Sequence, residues 1–246
     1  MVAESFARDG YCVFPFERAV ADWAAAAAIA GRAVLAEGGE RRHGRTWFVG
    51  VDALPNDTDG AVNGVPHCGA WRSFVQAPAQ WHRAQLSVVF PGYPRQDPDE
   101  SDAAHRFRVL KDAAHVDGLL PEGPSRRRHL REPHSFILGL PLDETEAAPL
   151  VVWPGSHRQM GRAFAAAFAN VPAADWGEVD VTDVYQAARK AVFADCPRVE
   201  VNARPGQAIL LHRHLLHGVA PWTEGAKGDM RMIAYFRPQG PMQDWL

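Results

Sequence analysis

Short runs alternating apolar and polar residues, each closed by glycine or proline, fill most of this chain, while helix-like stretches keep to its first part and one middle segment. That distribution predicts a mainly β fold with flanking helices: two sheets of short strands packed as a jelly roll, with the helices outside. A third observation agrees: there is no internal repeat and no low-complexity tract beyond one alanine-rich stretch.

A chain of 246 residues fits one large domain or two small ones, and all-β barrels and sandwiches often run to about 200–250 residues as one unit. One domain over 1–246 is expected, with a helical N-terminal part at about 1–40 and a helical insert at about 157–195. A hydrophobic content of 47% is ample for a core. The net charge of −3 carries no electrostatic footprint for nucleic acid. Cys12, Cys68 and Cys196 are widely spaced and odd in number, without a disulfide framework or zinc spacing, which points to a reducing cytoplasm. Residues 1–5 lack a basic stretch leading into an apolar one, so no secretion signal is expected. The Ala24–Ala30 run is too short to span a bilayer and is flanked by Asp22 and Arg32.

Taken in order, residues 4–16 read as a short helix or turn feeding a strand. Residues 17–37 are alanine-rich and predict a helix whose apolar face is Val20, Trp23, Ile29, Val34 and Leu35, ended by Gly38-Gly39. Trp47–Val51 and Gln85–Phe90 read as strands, and Asn56–Asn63 as loop. Arg95–Asp102 is a polar loop, either a solvated turn or a lid. Arg106–Lys111 alternates and predicts a strand leading to His115. Residues 121–133 form a proline-bounded basic loop. It is either solvated, or some of Arg126, Arg127, Arg128 and Arg131 receive an anionic group of a substrate, a task that suits the guanidinium fork. Ser135–Leu140 and Leu150–Trp153 predict strands. A helix follows Pro154-Gly155-Ser156-His157, with Phe164 and Phe168 on one face. Asp180–Asp195 predicts another, with Val184, Ala187, Ala188, Ala191 and Val192 inward; Arg198–Asn202 reads as an edge strand, and Arg231–Phe236 as the strand that closes the sheet.

The candidate chemistry lies in His115-Val116-Asp117. On a strand, residues i and i+2 project to one face, so one imidazole and one carboxylate can hold an ion from the same side. A His-x-Asp triplet arises by chance roughly once in a chain of this composition, so its weight comes from context. That context is Pro205-Gly206-Gln207 followed by His212, His214 and His217. Any of the three histidines completes two imidazoles and one carboxylate. That set leaves coordination positions open and suits non-haem iron(II), which must also take a cosubstrate and O2. Spacing alone does not choose among them.

The series His115-Val116-Asp117, Leu150–His157, Pro205-Gly206-Gln207 with Leu215-Leu216-His217-Gly218, and Arg231 resembles the phytanoyl-CoA dioxygenase family of Fe(II)- and 2-oxoglutarate-dependent oxygenases. The opening around Asp9-Gly10-Tyr11 is similar too, and the resemblance runs from about residue 5 to 237. It implies a double-stranded β-helix, a cupin-like barrel. It implies His115, Asp117 and His217 as metal ligands, and Arg231 as the partner of the distal carboxylate of 2-oxoglutarate, where a bidentate and permanently charged group is needed. The implied activity couples decarboxylation of 2-oxoglutarate, with O2, to oxidation of a small-molecule substrate. Because Asp117 occupies the place that halogenating relatives leave to halide, hydroxylation is favoured. His157 is expected to be structural. Two departures stand out: Val219 replaces a hydroxyl residue, and Glu146-Ala147-Ala148-Pro149 lacks a customary glycine. Two other readings remain. One is a jelly-roll binding module without turnover. The other is a hydrolytic zinc site, which needs a general base, and no Glu lies near His115 in sequence.

Overall fold

The alternation in the sequence resolves into a sheet with two different faces. The computed structural model describes residues 2–246. In chain order the elements are α1 (Val2–Asp9), β1 (Tyr11–Phe14), α2 (Arg18–Ala36), β2 (Arg41–Arg42), β3 (Trp47–Gly50), β4 (Gln85–Val89), α3 (Asp102–Leu110), β5 (Leu119–Glu122), β6 (Arg127–Leu130), β7 (Phe136–Pro141), β8 (Leu150–Val152), α4 (Ser156–Phe168), α5 (Thr182–Asp195), β9 (Val199–Val201), β10 (Ala208–His212), β11 (His217–Val219) and β12 (Arg231–Phe236). A seven-stranded sheet runs β1-β10-β7-β12-β4-β3-β2, and a three-stranded sheet runs β11-β8-β9. β5 and β6 form a separate hairpin. All the pairings within the sheets are antiparallel. The fold is a jelly roll, mainly β with flanking helices, as expected. β12 does not close the large sheet but occupies its centre, between β7 and β4.

Even-numbered residues of the large sheet (Phe48, Leu86, Val88, Leu138, Leu140, Met232, Ala234, Phe236) join one core with Trp23, Ala24 and Ala27 of α2. Odd-numbered Ile137, Ile209 and Leu211 face the other way and pack on Leu150, Val152 and Val201 of the small sheet. The outer face of the small sheet (Val151 and Trp153) is covered by Met160, Phe164 and Phe168 of α4 and by Tyr185 and Val192 of α5. The order is therefore helix, large sheet, small sheet, helices, which is the layered burial that amphipathic strands require.

The α2 helix buries Val20, Trp23, Ala24, Ala27, Ala30 and Gly31. Ile29, expected inward, is 69% exposed; the small residues take the sheet contact because they let the helix axis approach closely. The Trp23 indole N–H donates to the Gly60 carbonyl at 2.8 Å, satisfying the polar atom of a buried ring. At 19 residues α2 has the length and apolar content of a membrane-crossing helix, which the short Ala24–Ala30 run did not disclose. Its apolar stripe, however, is already committed to the sheet. Val184 of α5 is likewise exposed rather than inward.

The segment expected as a strand before His115 is helix α3. Ser101 caps it by accepting the Ala104 N–H, and Asp102 sits in the first turn with Arg108 in the last. The acidic loop before it is pinned: Asp97 accepts the N–H groups of His43 and Gly44 at 2.7 and 2.6 Å, and Glu100 pairs with Arg108. The basic stretch is the β5–β6 hairpin, and most of its arginines are occupied. Arg127 binds Asp180 and Asp183, and Arg131 binds Glu122 and Glu178. Arg128 donates to the Leu119 carbonyl and lies over Tyr185. These three arginines are taken up by structural pairing and are not free to receive an anion.

Asp143, just beyond β7, accepts the Met232 N–H at 2.6 Å, and burial pushes its carboxyl up to about 6. The folded chain therefore holds this proton more tightly than the unfolded chain, and stability should fall as pH rises from about 4 to 6. Urea unfolding across that range should show the slope in the parent and its loss in Asp143→Asn.

Candidate metal centre

Two close backbone approaches bring the ligand-bearing segments together. After α3 the chain turns through Asp112 and Ala113, both left-handed at φ 54 and 53, an uncommon conformation for residues with a Cβ. The Asp112 carboxylate is held by Arg198 at 2.7 and 2.8 Å, which offsets the cost of the turn. His115 then pairs with His217 of β11 as an isolated bridge: His115 N–H donates to the His217 carbonyl at 2.8 Å, and His217 N–H to that of His115 at 3.1 Å. So His115 is not on a regular strand. It is stitched to the edge of the small sheet.

Gly218 makes this stitch fit, since a Cβ there would lie 2.1 Å from the Asp112 carbonyl oxygen. Gly118 does the same on the other side: at φ +83, an added Cβ would lie 2.1 Å from the Glu132 carbonyl oxygen. Gly218→Ala should force the 112–115 segment off β11. Its expected cost is about 1–3 kcal/mol of overpacking and a roughly tenfold or greater loss of divalent-metal affinity, read by denaturant unfolding and by Co(II) titration.

The side chains of His115, Asp117 and His217 converge, with their ligand atoms within 4.8 Å of one another. His115 Nε2 lies 3.1 Å from Asp117 Oδ1, and His217 Nε2 lies 3.7 Å from Oδ2. Each imidazole donates its Nδ1–H to the carbonyl two residues before it, Ala113 at 3.0 Å and Leu215 at 2.9 Å. A neutral ring so bonded presents Nε2 as a lone pair. Two lone pairs and a carboxylate thus face one another across a gap that a cation fits.

Burial opposes the charge on Asp117, but the Arg237 guanidinium beside it outweighs that cost and holds the carboxyl well below its usual range. Arg237 Nη1 reaches Asp117 Oδ2 at 3.3 Å, and its Nη2 donates to Gln85. Its backbone is clamped as well: its N–H donates to His82 Nε2 at 2.8 Å, and its carbonyl accepts from His134 Nδ1 at 3.0 Å. Arg237 went unnoticed in the sequence because it belongs to no motif. The signal was strand parity, since it lies two and six residues beyond Tyr235 and Arg231.

The three ligand candidates open into a cavity of about 270 Å³ between the sheets, walled by Trp47, Val49, Gln85, Ser87, Ile137, Leu150 and Tyr235 among others. Glu132 also lines it. The fold supplies the carboxylate that the sequence near His115 lacked, although His134 Nε2 already faces it at 3.2 Å.

Arg231 shares the cavity-side face of β12 with Tyr235, by register opposite Val89 and Gln85 of β4. It lies not in the wall of that cavity but in a small adjoining space, and Leu150 lines both. It is 3% exposed, and neither Nη1 nor Nη2 has a partner. A buried guanidinium with two free donors is costly unless an anion joins it. The buried Tyr93 hydroxyl faces the Arg108 guanidinium, and the Arg231 charge reaches it more weakly. Val219 packs beside Tyr93. Ala148, where a glycine was missed, adopts φ 50, the left-handed conformation that glycine favours.

The other histidines lie elsewhere. His212 accepts the His214 N–H at 3.0 Å on Nδ1 and packs against His157, and burial pushes it down to about 3. His214 packs on Trp245. His157 reaches the Ala7 carbonyl at 3.3 Å, tying α4 to α1, a structural role.

No family model matches the sequence, and no curated protein matches it. Solved structures do share the fold. The non-heme alpha ketoglutarate dependent carbocyclase SnoK from nogalamycin biosynthesis superposes with a TM-score of 0.55 at 16% identity, over 96% of this chain and 83% of that one. The epimerase SnoN, in complex with Fe3+, alpha ketoglutarate and nogalamycin RO, gives 0.51 at 16% identity, over 98% and 85%. At that identity the likeness establishes the jelly-roll architecture.

Proposed function

We propose that this chain is an Fe(II)- and 2-oxoglutarate-dependent oxygenase that hydroxylates a C–H bond of a small organic substrate. The observation that carries this reading is the pairing of two features. His115, Asp117 and His217 offer three donors to one cation, and Arg231 lies nearby, buried, with neither Nη hydrogen-bonded. Two imidazoles and one carboxylate with open positions suit iron(II). When bound, the metal supplies O2 activation coupled to conversion of 2-oxoglutarate to succinate and CO2.

The protein's own part is holding and orienting. Arg231 receives the far carboxylate of the cosubstrate through its fork of donors. Arg237 fixes the Asp117 carboxylate so that it faces both imidazoles. Val49, Ile137 and Leu150 keep the reacting region apolar. The presence of Asp117 leaves no ligand place for a halide and favours hydroxylation. SnoK and SnoN bear names of cyclisation and epimerisation, so the same scaffold supports more than one outcome.

Glu132 in the cavity wall is the one observation that favours a hydrolytic zinc site. Its pairing with His134 and the waiting Arg231 favour the oxygenase. Anaerobic titration of the apo protein with Fe(II) and then 2-oxoglutarate separates the readings. A weak visible charge-transfer band is expected, and its absence with all three ligands intact would count against the assignment. Succinate formation in the presence of candidate substrates then separates an enzyme from a binding module.

A further inference from the structure

The metal-side cavity does not end at the metal. A second cavity of about 330 Å³ adjoins it, and the two share Val51, Glu132 and Arg237 as wall residues. They differ in character. The first is faced by apolar and aromatic side chains, and the second by Asp52, Gln80, His82, His134 and Gln239. At the rim of the first, Val51 is 62% exposed and Leu120 is 40% exposed. Apolar side chains left open beside a cleft are costly to hydrate unless a ligand covers them.

The charges in this double cleft can be followed one by one. Among the described residues lining it, the arginine has its partners: Arg237 is held by Asp117 and Gln85. His134 is paired with Glu132. His82 accepts the Arg237 N–H on Nε2 and donates from Nδ1 to the Arg83 carbonyl at 2.7 Å, so its ring is neutral. Asp52 lies 3.5 Å from that ring, and among the described residues no guanidinium or ammonium pairs with it. Of the four hairpin arginines, Arg127 and Arg131 are engaged by carboxylates, Arg128 donates to the Leu119 carbonyl, and Arg126 faces a separate cleft with Arg42 and Glu100. Away from the metal ligands, the carboxylate of the double cleft that no arginine or imidazolium neutralises is therefore Asp52.

We infer that the primary substrate is an uncharged or cationic molecule with an apolar body. Its reacting carbon enters the metal-side cavity, its body lies across Val51 and Leu120, and its hydroxyl- or amine-bearing end occupies the polar cavity beside Asp52 and Glu132. Phosphate-bearing thioesters are disfavoured by the same charges. This inference rests on the oxygenase reading for which end of the substrate reacts. It does not rest on it for the charge preference.

Three probes with one apolar body test it: 2-naphthyl β-glucoside, 2-(aminomethyl)naphthalene and 2-naphthyl phosphate. Each is titrated calorimetrically into the full chain loaded with Mn(II) and 2-oxoglutarate. The glucoside and the ammonium probe should bind, and the phosphate at least tenfold more weakly. Asp52→Asn should weaken the ammonium probe roughly threefold, as expected of a partly exposed ion pair, and the glucoside by less. The double variant Val51→Ser, Leu120→Ser should weaken both. Phosphate binding equal to or tighter than the glucoside, or failure of all three to bind, overturns the inference. The charge-transfer titration reports separately. A band together with a phosphate preference removes this proposal alone, and probe binding without a band removes the oxygenase reading alone.

Discussion

Asp117→Asn is expected to lower Fe(II) affinity by 100-fold or more. The substitution keeps shape and volume, so what it removes is charge. A carboxylate oxygen now faces each imidazole Nε2 at 3.1 and 3.7 Å. An amide offers one weaker oxygen and an NH2 that competes with the cation for a lone pair. A loss of 100-fold corresponds to about 2.8 kcal/mol. A second effect follows in the metal-free protein. Arg237 keeps Gln85 but loses its counter-charge, and breaking a largely buried pair costs about 3–5 kcal/mol. Asp117→Asn should therefore be less stable even without metal, and adding Arg237→Leu should recover part of that loss. Isothermal titration with Fe(II) under anaerobic conditions and urea unfolding of the four proteins of the cycle check both statements. Metal affinity within tenfold of the parent would remove Asp117 from the ligand set.

Arg231→Met is expected to move two properties in opposite directions. The guanidinium is buried and neither Nη atom has a partner. Replacing such a charge with an apolar side chain of similar volume should stabilise the cosubstrate-free protein by about 1–4 kcal/mol. The same change removes the fork that a distal carboxylate needs, and 2-oxoglutarate affinity should fall by about 100-fold or more. Thermal unfolding with and without saturating 2-oxoglutarate reads both at once. The parent should gain stability with ligand, by mass action, whereas the variant should start higher and gain nothing. Arg231→Lys should recover the binding only in part, because an ammonium makes a point contact where two parallel bonds are required. A variant that is destabilised without ligand would mean that Arg231 has a structural partner instead.

The contrast between what was visible in the sequence and what was not has a physical basis. His115, Asp117 and His217 could be read because motif order survives without knowledge of the path between them. Their convergence could not: it depends on a left-handed turn at Asp112 and Ala113 and on two glycines that admit carbonyl oxygens. Strands such as Leu150–Val152 and Arg231–Phe236 declared themselves by composition. Arg106–Lys111 did not, because its alternation also suits a short helix, and the decisive signal was the Ser101 cap. The arginines of the hairpin looked available because their partners Asp180, Asp183 and Glu178 lie about fifty residues away. Glu132 looked irrelevant because it lies seventeen residues beyond His115 and reaches the cavity only once the β5–β6 hairpin folds back.

The odd–even division of the large sheet has a consequence for how this scaffold can change. Trp47, Val49, Gln85, Ser87 and Tyr235 shape the chamber, while their immediate neighbours Phe48, Leu86, Val88, Ala234 and Phe236 belong to the opposite core. Mutation can rewrite one set and leave the other untouched. New substrate preferences can thus accumulate along the same strands that keep the molecule folded, and a library confined to the odd positions is where directed evolution of this chain should begin.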